Sequence, residues 1–173
     1  MTTITYKHQP AIGKTGGHVP LAGTKHLYTV SKVLWPKEIE TFLATLFIGK
    51  TLHLCCGHSK LGDLRVDSDP LTQPDFLCEV EYIQDYFHDQ SWDTVLCDPP
   101  YNGKFKWNHL LLSEIGRIAR KRFIFQHWFI PANPDGTFKK WQDRWHLTSV
   151  YVWQPRTYFG RAQLISVFDT VKK

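Results

Sequence analysis

The residues whose types and spacing most clearly suggest chemistry are Asp98-Pro99-Pro100-Tyr101. They follow the apolar run Val95-Leu96-Cys97, which is typical of a strand buried on both faces. The two prolines then end the strand, because proline has no N–H to donate to a ladder and its φ is fixed. A carboxylate, a stiff carbonyl-bearing turn and an aromatic ring are thereby presented at the carboxyl end of a strand, where open α/β sheets bind ligands.

This tetrapeptide resembles the Asp-Pro-Pro-Tyr motif of the amino-methyltransferases, which transfer a methyl group from S-adenosylmethionine to an exocyclic amine of a nucleobase. The resemblance implies that the Asp98 carboxylate and the Pro99 carbonyl accept the two amine N–H groups, with Pro100 adding rigidity. It also implies that Tyr101 stacks on a base flipped out of its helix, which is typically worth about 1–3 kcal/mol. The alternative is an ordinary strand-ending turn, since Asp and Pro are common turn formers.

A second segment extends the resemblance to the cofactor. The sequence from Leu52 to Gly57 is similar to the family's first, glycine-containing motif, in which a strand ends in a loop beneath the cofactor's methionine. By the same resemblance Asp67, with Asp69 as the second candidate, accepts hydrogen bonds from the ribose hydroxyls, and Glu79 lies near the adenine. The alternatives are simple turn glycines and a solvated acidic patch. The predicted cofactor-binding residues are Tyr28, Thr29, Cys55, Gly57, Asp67, Glu79 and Ile83.

The cofactor loop departs from the family pattern. Only Gly57 and Gly62 supply its glycines, and only seven residues separate Cys56 from Leu64. A parallel crossover normally needs about a dozen residues and usually contains a helix. Either that helix is missing and the loop takes an unusual path, or Leu64 to Asp67 is not the second strand.

The segments after the tetrapeptide are candidates for holding the substrate. The loop that follows it is basic and aromatic, which suits a nucleic-acid backbone or a flipped base. A strand is predicted from Arg122 to Ile130, and its last residues face the site if it runs parallel to its neighbour. The predicted substrate-binding residues are Asn102, Lys104, Lys106, Trp107, His127 and Trp128. The cations between Arg117 and Arg122 suit either a helix C-terminus or phosphate contact.

Composition limits the class of protein. The chain has 173 residues, a formal charge of +5 and a pI near 9.0, which suits a polyanionic partner. No run approaches the roughly 18 apolar residues of a transmembrane helix, and the N-terminus lacks a signal-peptide layout, so a cytoplasmic protein is expected. The four cysteines lack zinc-ligand spacing, and small buried hydrophobes are the expected role for all of them. We expect no metal and no membrane partner.

The predicted organisation is a flexible basic N-terminal arm over residues 1–23 and a methyltransferase domain over residues 24–173. The fold class expected is α/β: a single-domain, doubly wound, Rossmann-like methyltransferase fold, trimmed near the cofactor loop, with a terminal antiparallel strand pair. A helix is predicted to begin after Pro36, present one apolar face and end at Gly49. The terminal strands are predicted at Leu147 to Trp153 and Ala162 to Thr170.

These features predict a methyltransferase dependent on S-adenosylmethionine that modifies adenine N6, first in DNA. One alternative is an RNA base methyltransferase acting on adenine N6 or guanine N2, since such enzymes carry the same motif. Another is a non-catalytic nucleic-acid-binding protein that retains the fold. No separate target-recognition domain is evident, so a homodimer or a partner subunit could supply target recognition.

Overall fold

A mixed seven-stranded sheet organises the chain. The computed structural model describes residues 35–99, 109–138, 143–153 and 162–171. The strands are β1 Thr51–Leu54, β2 Leu64–Asp67, β3 Phe76–Leu77, β4 Trp92–Cys97, β5 Ala119–His127, β6 Trp145–Trp153 and β7 Gln163–Thr170. The α-helices are α1 Lys37–Thr45 and α2 His109–Ile118, and 3₁₀ turns span Pro70–Thr72 and Val80–Asp85.

The strand order is β3-β2-β1-β4-β5-β7-β6. Strands β1 to β5 are parallel, and β7 runs antiparallel between β5 and β6. The chain moves outward from β1 to β3 and then returns to place β4 on the other side of β1. This architecture is compatible with a Rossmann-like fold, and it confirms the predicted antiparallel pair at the C-terminus.

The two α-helices cover opposite faces of the sheet. On the α1 face, Ile39 and Leu43 pack in one buried cluster with Leu96, Ile124 and Ile165. The α2 face carries the larger cluster, whose members include Leu52, Val95, Leu111, Ile115, Phe123 and Phe168. Neighbouring residues along a strand therefore belong to different clusters, as the two-residue period of a strand requires.

Helix α1 begins after Pro36 as predicted, and Ile39 and Leu43 on its apolar face are fully buried. Its end differs from the prediction, since the C-cap is Leu46 and not Gly49. Gly49 has a φ of +61°, and a Cβ added to it would lie 2.4 Å from a carboxylate oxygen of Asp93. Glycine is therefore needed at this position, because the chain that enters β1 passes very close to the start of β4.

The structure shows how the connection from β1 to β2 is made with fewer residues than a parallel crossover normally needs. Leu64–Asp67 is the second parallel strand, and residues 55–63 join it to β1 without a helix. The connector returns along the α1 face of β1, where the Asp63 N–H donates to the Thr51 carbonyl (2.8 Å) and Leu61 O bonds His53 Nδ1 (3.1 Å). Gly62, at φ +96°, passes so close that a Cβ would lie 3.1 Å from that of His53.

The cationic stretch after α2 requires a correction. Strand β5 begins at Ala119, directly after the helix, so Arg120, Lys121 and Arg122 lie in the strand. Arg120 and Lys121 pair with Asp93, and the pKa of that carboxyl is lowered, first by its hydrogen bond to Arg120. These groups lie at the amino end of β5, opposite the predicted site. Of the four cations, Arg117 lies in the last turn of α2 as predicted. The predicted phosphate contact stays a prediction.

The predicted terminal strands can also be compared with the structure, and β6 and β7 match their predicted ranges within two residues. Strand β3 is short, with only Phe76–Leu77, and the Gly136 N–H donates to the Asn133 carbonyl at 2.9 Å in a turn before β6. Neither described α-helix is long and apolar enough to cross a lipid bilayer.

Candidate functional site

Four neighbouring strand ends bring most of the described candidate residues to one edge of the sheet. Asp98 follows β4, the loop containing Gly57 follows β1, Asp67 ends β2, and Glu79 lies just beyond β3. The registered pair of Leu54 and Cys97 places the ends of β1 and β4 side by side. Because the strand order reverses there, this is where a doubly wound sheet offers a crevice for a ligand.

The Gly57 loop is fastened to the end of β2. The Gly57 N–H donates to Asp67 Oδ2 at 2.7 Å, and the Cys56 N–H donates to the Val66 carbonyl at 3.0 Å. The second Asp67 oxygen accepts from the Asp69 N–H at 2.9 Å. Each carboxylate oxygen retains a further lone pair, so Asp67 can also accept from a ligand hydroxyl.

Two cysteines at this edge, Cys56 and Cys97, have raised pKa values and are neutral thiols. Burial raises the pKa of Cys56 to about 12, with the Asp67 charge adding to the shift. Burial also raises the pKa of Cys97, and a hydrogen bond with the Cys55 thiol raises it further. Cys55 itself is half-buried, at a φ of +54°. Within the described ranges, no three His, Cys, Asp or Glu side chains form a metal-binding group.

The first half of the tetrapeptide lies where the sequence predicts it. The Asp98 N–H donates to the Leu54 carbonyl at 3.4 Å, so the β1–β4 ladder extends one residue past β4. Asp98 is half-buried and Pro99 is buried. The predictions for Pro100, Tyr101, Asn102, Lys104, Lys106 and Trp107, and for Tyr28 and Thr29, lie outside the described residues. They stay predictions.

Of the two residues predicted at the adenine end of the cofactor site, one is exposed and the other is buried. Glu79 is exposed at the start of the 3₁₀ turn, with no side-chain bond to the turn's N–H groups. Ile83 is fully buried in the α2-face cluster, so its side chain belongs to the core and not to an open edge. The neighbouring Tyr82 is 56% exposed and is an aromatic residue available to a planar ligand.

On the substrate side, β5 runs parallel to β4, as the prediction required. His127 ends the strand fully buried, its ring stacked with Phe125 at 5.7 Å. Burial lowers the pKa of His127 to about 4, so the imidazole is neutral at pH 7 and brings no charge to a phosphate. Trp128 is 54% exposed, and it is the member of the pair that can stack on a base.

Sequence reasoning misses Gln126. This residue is 2% exposed, and its neighbour Ile124 packs on the α1 face. The signal in the sequence is a single amide within the strongly apolar stretch Phe123 to Phe129, which continues past the end of β5. Pattern reading gives such a residue no role, because register between strands is needed to show that it lies next to Asp98.

Charge is divided unequally along the chain. Twelve of the 16 acidic residues, but only four of the 21 Lys and Arg residues, lie between positions 35 and 99. That range contains α1 and β1 to β4. The surplus of positive charge therefore belongs to the rest of the chain, which includes β5, β6 and β7. In the described part of β5, Arg120, Lys121 and Arg122 are paired with Asp93 or Asp169.

No protein-family model matches this chain. A search of curated proteins finds none with significant similarity to it. The functional argument therefore depends on the residues at the carboxyl edge and on the sheet that positions them.

Proposed function

We propose that the protein is a methyltransferase that uses S-adenosylmethionine to modify the exocyclic amine of a nucleobase, with adenine N6 in DNA as the first target. The observation that carries the proposal is the placement of Asp98 at the carboxyl end of β4, beside the fastened pair of Gly57 and Asp67. The resemblance assigns substrate to the first residue and cofactor to the other two. Their adjacency is what a direct transfer between the two ligands requires.

The residues at the edge fit the cofactor. The Asp67 carboxylate has spare lone pairs for the ribose hydroxyls, and the exposed Glu79 and Tyr82 lie one strand further out for the adenine. When bound, S-adenosylmethionine supplies an electrophilic methyl group on a positively charged sulfur. The sulfur leaves as a neutral thioether, so the reaction needs no metal.

Asp98 has the central role on the substrate side. An aromatic amine is a poor nucleophile, because its lone pair is delocalised into the ring. Hydrogen bonds from its two N–H groups to the Asp98 carboxylate and the Pro99 carbonyl draw the nitrogen towards sp³ geometry and free that lone pair. The extended ladder fixes Asp98, and the buried Pro99 stiffens the turn, so these acceptors are in place before the base arrives.

The sheet supports the proposal only as a fold-level analogy. Its order, the reversal at β1 and β4, and the antiparallel β6–β7 pair agree with the methyltransferase fold that the resemblance implies. The helix-free connector between β1 and β2 corresponds to the expected trimming near the cofactor loop.

A competition assay tests whether DNA or RNA is the substrate. The formal charge of +5 favours a polyanionic substrate, and the exposed Trp128 offers a stacking surface for a base. Duplex DNA, single-stranded DNA and single-stranded RNA are offered together to the protein with labelled cofactor. Label in DNA supports the proposal, whereas label confined to RNA contradicts the choice of DNA.

The short connector gives a second candidate some support, namely a nucleic-acid-binding protein that retains the fold without catalysis. Calorimetric titration with S-adenosylmethionine separates the two. The proposed enzyme binds the cofactor, and the absence of binding at millimolar cofactor would favour the non-catalytic protein.

A further inference from the structure

Two cysteines lie side by side at the ends of β1 and β4. The last registered pair of these strands is Leu54 with Cys97, so Cys55 is one residue further along the neighbouring strand. Parallel strands are about 4.8 Å apart and rise about 3.3 Å per residue, which places the two cysteine Cα atoms about 6 Å apart. Disulfides form across Cα separations of about 4.4–6.8 Å, so the backbone allows a bond between Cys55 and Cys97.

The side chain of Cys55 turns towards Cys97. Strict alternation would place Cys55 on the α1 face, because Leu54 before it packs with Cys97 in the α2-face cluster. The φ of Cys55 is +54°, in the left-handed region, which interrupts the alternation. Cys55 accordingly packs against the α2-face cluster, and a hydrogen bond joins its thiol to the Cys97 thiol. A left-handed φ is unfavourable for a residue with a Cβ, and such residues cluster at functional sites and switches.

The other two cysteines of the chain are arranged differently. The Cys56 thiol donates to the carbonyl of the next residue at 3.4 Å, and the Cys78 thiol donates to the carbonyl that follows it at 3.2 Å. Within the contacting pair, Cys55 is half-buried and Cys97 is fully buried. A small oxidant can therefore reach the Cys55 sulfur from solvent, and the Cys97 sulfur lies behind it.

We propose that Cys55 and Cys97 form a reversible disulfide that switches the candidate site off when the protein meets a peroxide. Hydrogen peroxide oxidises the Cys55 thiol to a sulfenic acid and is itself reduced to water. The Cys97 sulfur then attacks the Cys55 sulfur, and its proton leaves with the hydroxyl group as a second water molecule. Two thiols and one hydrogen peroxide thus give one disulfide and two water molecules, and a dithiol reductant reverses the bond by exchange.

The bond acts on both halves of the candidate site. Asp98 directly follows Cys97, and Gly57 lies two residues after Cys55. A covalent S–S bond is about 2.0 Å long, much shorter than a contact between two thiols, so the ends of β1 and β4 must shift when it forms. A displacement of about 1 Å in a catalytic arrangement can cost about a hundredfold in rate. This consequence for methyl transfer rests on the proposed function, whereas the disulfide itself does not.

The first part of the test maps the disulfide without using activity. In the variant Cys56→Ala/Cys78→Ala, Cys55 and Cys97 are the remaining cysteines. This variant is treated with hydrogen peroxide, its free thiols are alkylated, and its mass is measured before and after reduction with dithiothreitol. The treated protein is expected to take up no alkylating agent until it is reduced. If the variant does not fold, the Cys55–Cys97 link is sought in peptides of the treated wild-type protein.

The second part compares methyl-transfer rates with and without peroxide treatment, as a ratio for each protein. The wild-type rate is expected to fall at least about tenfold and to recover with dithiothreitol, which reduces a disulfide but not a sulfinic acid. Cys97→Ala lacks the second sulfur and is expected to give a treated rate close to its own untreated rate. Cys78→Ala is the matched control, since it also removes a buried thiol, and it should lose activity as the wild type does.

Three results would overturn the inference, and they are distinguishable. If both thiols of the treated variant are still alkylated, Cys55 and Cys97 do not form the bond, while the proposed function stands. If the disulfide forms and the rate of transfer is unchanged, the bond is not a switch. If the reduced wild-type protein transfers no methyl group to any nucleic acid, the proposed function fails and the switch fails with it, even where the disulfide is mapped.

Discussion

The Asp67 carboxylate accepts a 2.7 Å hydrogen bond from the backbone N–H of Gly57. This contact joins the end of β2 to the loop that leaves β1, across a connection too short for a helix. It fixes the position of the carboxylate that is predicted to hold the ribose of the cofactor. Structure and proposed function therefore depend on the same pair of groups.

Asp67→Ala is expected to weaken S-adenosylmethionine binding by at least about tenfold and to lower the free energy of unfolding by about 1–2 kcal/mol. The side chain is lost both as an acceptor for the ribose and as the anchor of Gly57. Calorimetry and urea denaturation measure the two effects. Asp85→Ala, at an exposed position, is the control. Unchanged cofactor affinity in a folded Asp67→Ala protein would contradict the assignment.

Gly62→Ala should destabilise the protein by about 2 kcal/mol, because the added methyl group meets a strained backbone and a neighbouring strand together. The φ of +96° is unfavourable for alanine, and the new Cβ would lie 3.1 Å from the Cβ of His53 and 3.3 Å from the Thr51 carbonyl oxygen. Thermal unfolding gives the effect. A melting temperature equal to the wild-type value would mean that the connector does not pass this close to β1.

His53 makes stability depend on pH. Its ring is fully buried, stacked with Trp35 and bonded to the Leu61 carbonyl, and burial lowers its pKa to about 4, with the Arg65 charge a smaller contribution. Below pH 6.5 the unfolded chain takes up a proton that the folded protein does not. Stability is therefore complete above pH 6.5 and decreases towards pH 4, at about 1.4 kcal/mol per pH unit from this group.

His53→Phe tests this linkage, since phenylalanine keeps a ring against Trp35 and removes the titrating group. Between pH 7 and pH 5 the loss of unfolding free energy should be about 2 kcal/mol smaller than in the wild type. Chemical denaturation at the two pH values measures it. A pH dependence of His53→Phe identical to that of the wild type would contradict the buried position of His53.

The sequence predicts those parts of the fold that have strong periodicity. The spacing of Ile39 and Leu43 identifies α1, and the apolar run before Asp98 identifies β4. The start of β5 at Ala119 is missed, because the residues that begin the strand, including Arg120 and Arg122, also suit the end of a helix. Their partners, Asp93 and Asp169, are distant in the chain, so no local pattern indicates the ion pairs.

The candidate site is predictable only where one strand end carries the signal. Asp98 and Gly57 each follow an apolar strand, and their order along the chain already suggests adjacency. Ile83 is misplaced, since an apolar residue in a short 3₁₀ turn has no period to show which way it faces. The position of Gln126 beside Asp98 can be recognised only from the register of β4 and β5, which depends on long-range pairing.

The central claim is tested most directly by tritiated methyl transfer from S-adenosylmethionine to a mixed pool of DNA and RNA, followed by separation of the nucleosides. The wild-type protein is expected to label N6-methyldeoxyadenosine. Asp98→Ala is expected to abolish transfer while cofactor affinity is retained, because Asp98 holds the amine and not the cofactor. No label from a wild-type protein that binds neither S-adenosylmethionine nor nucleic acid would contradict the account.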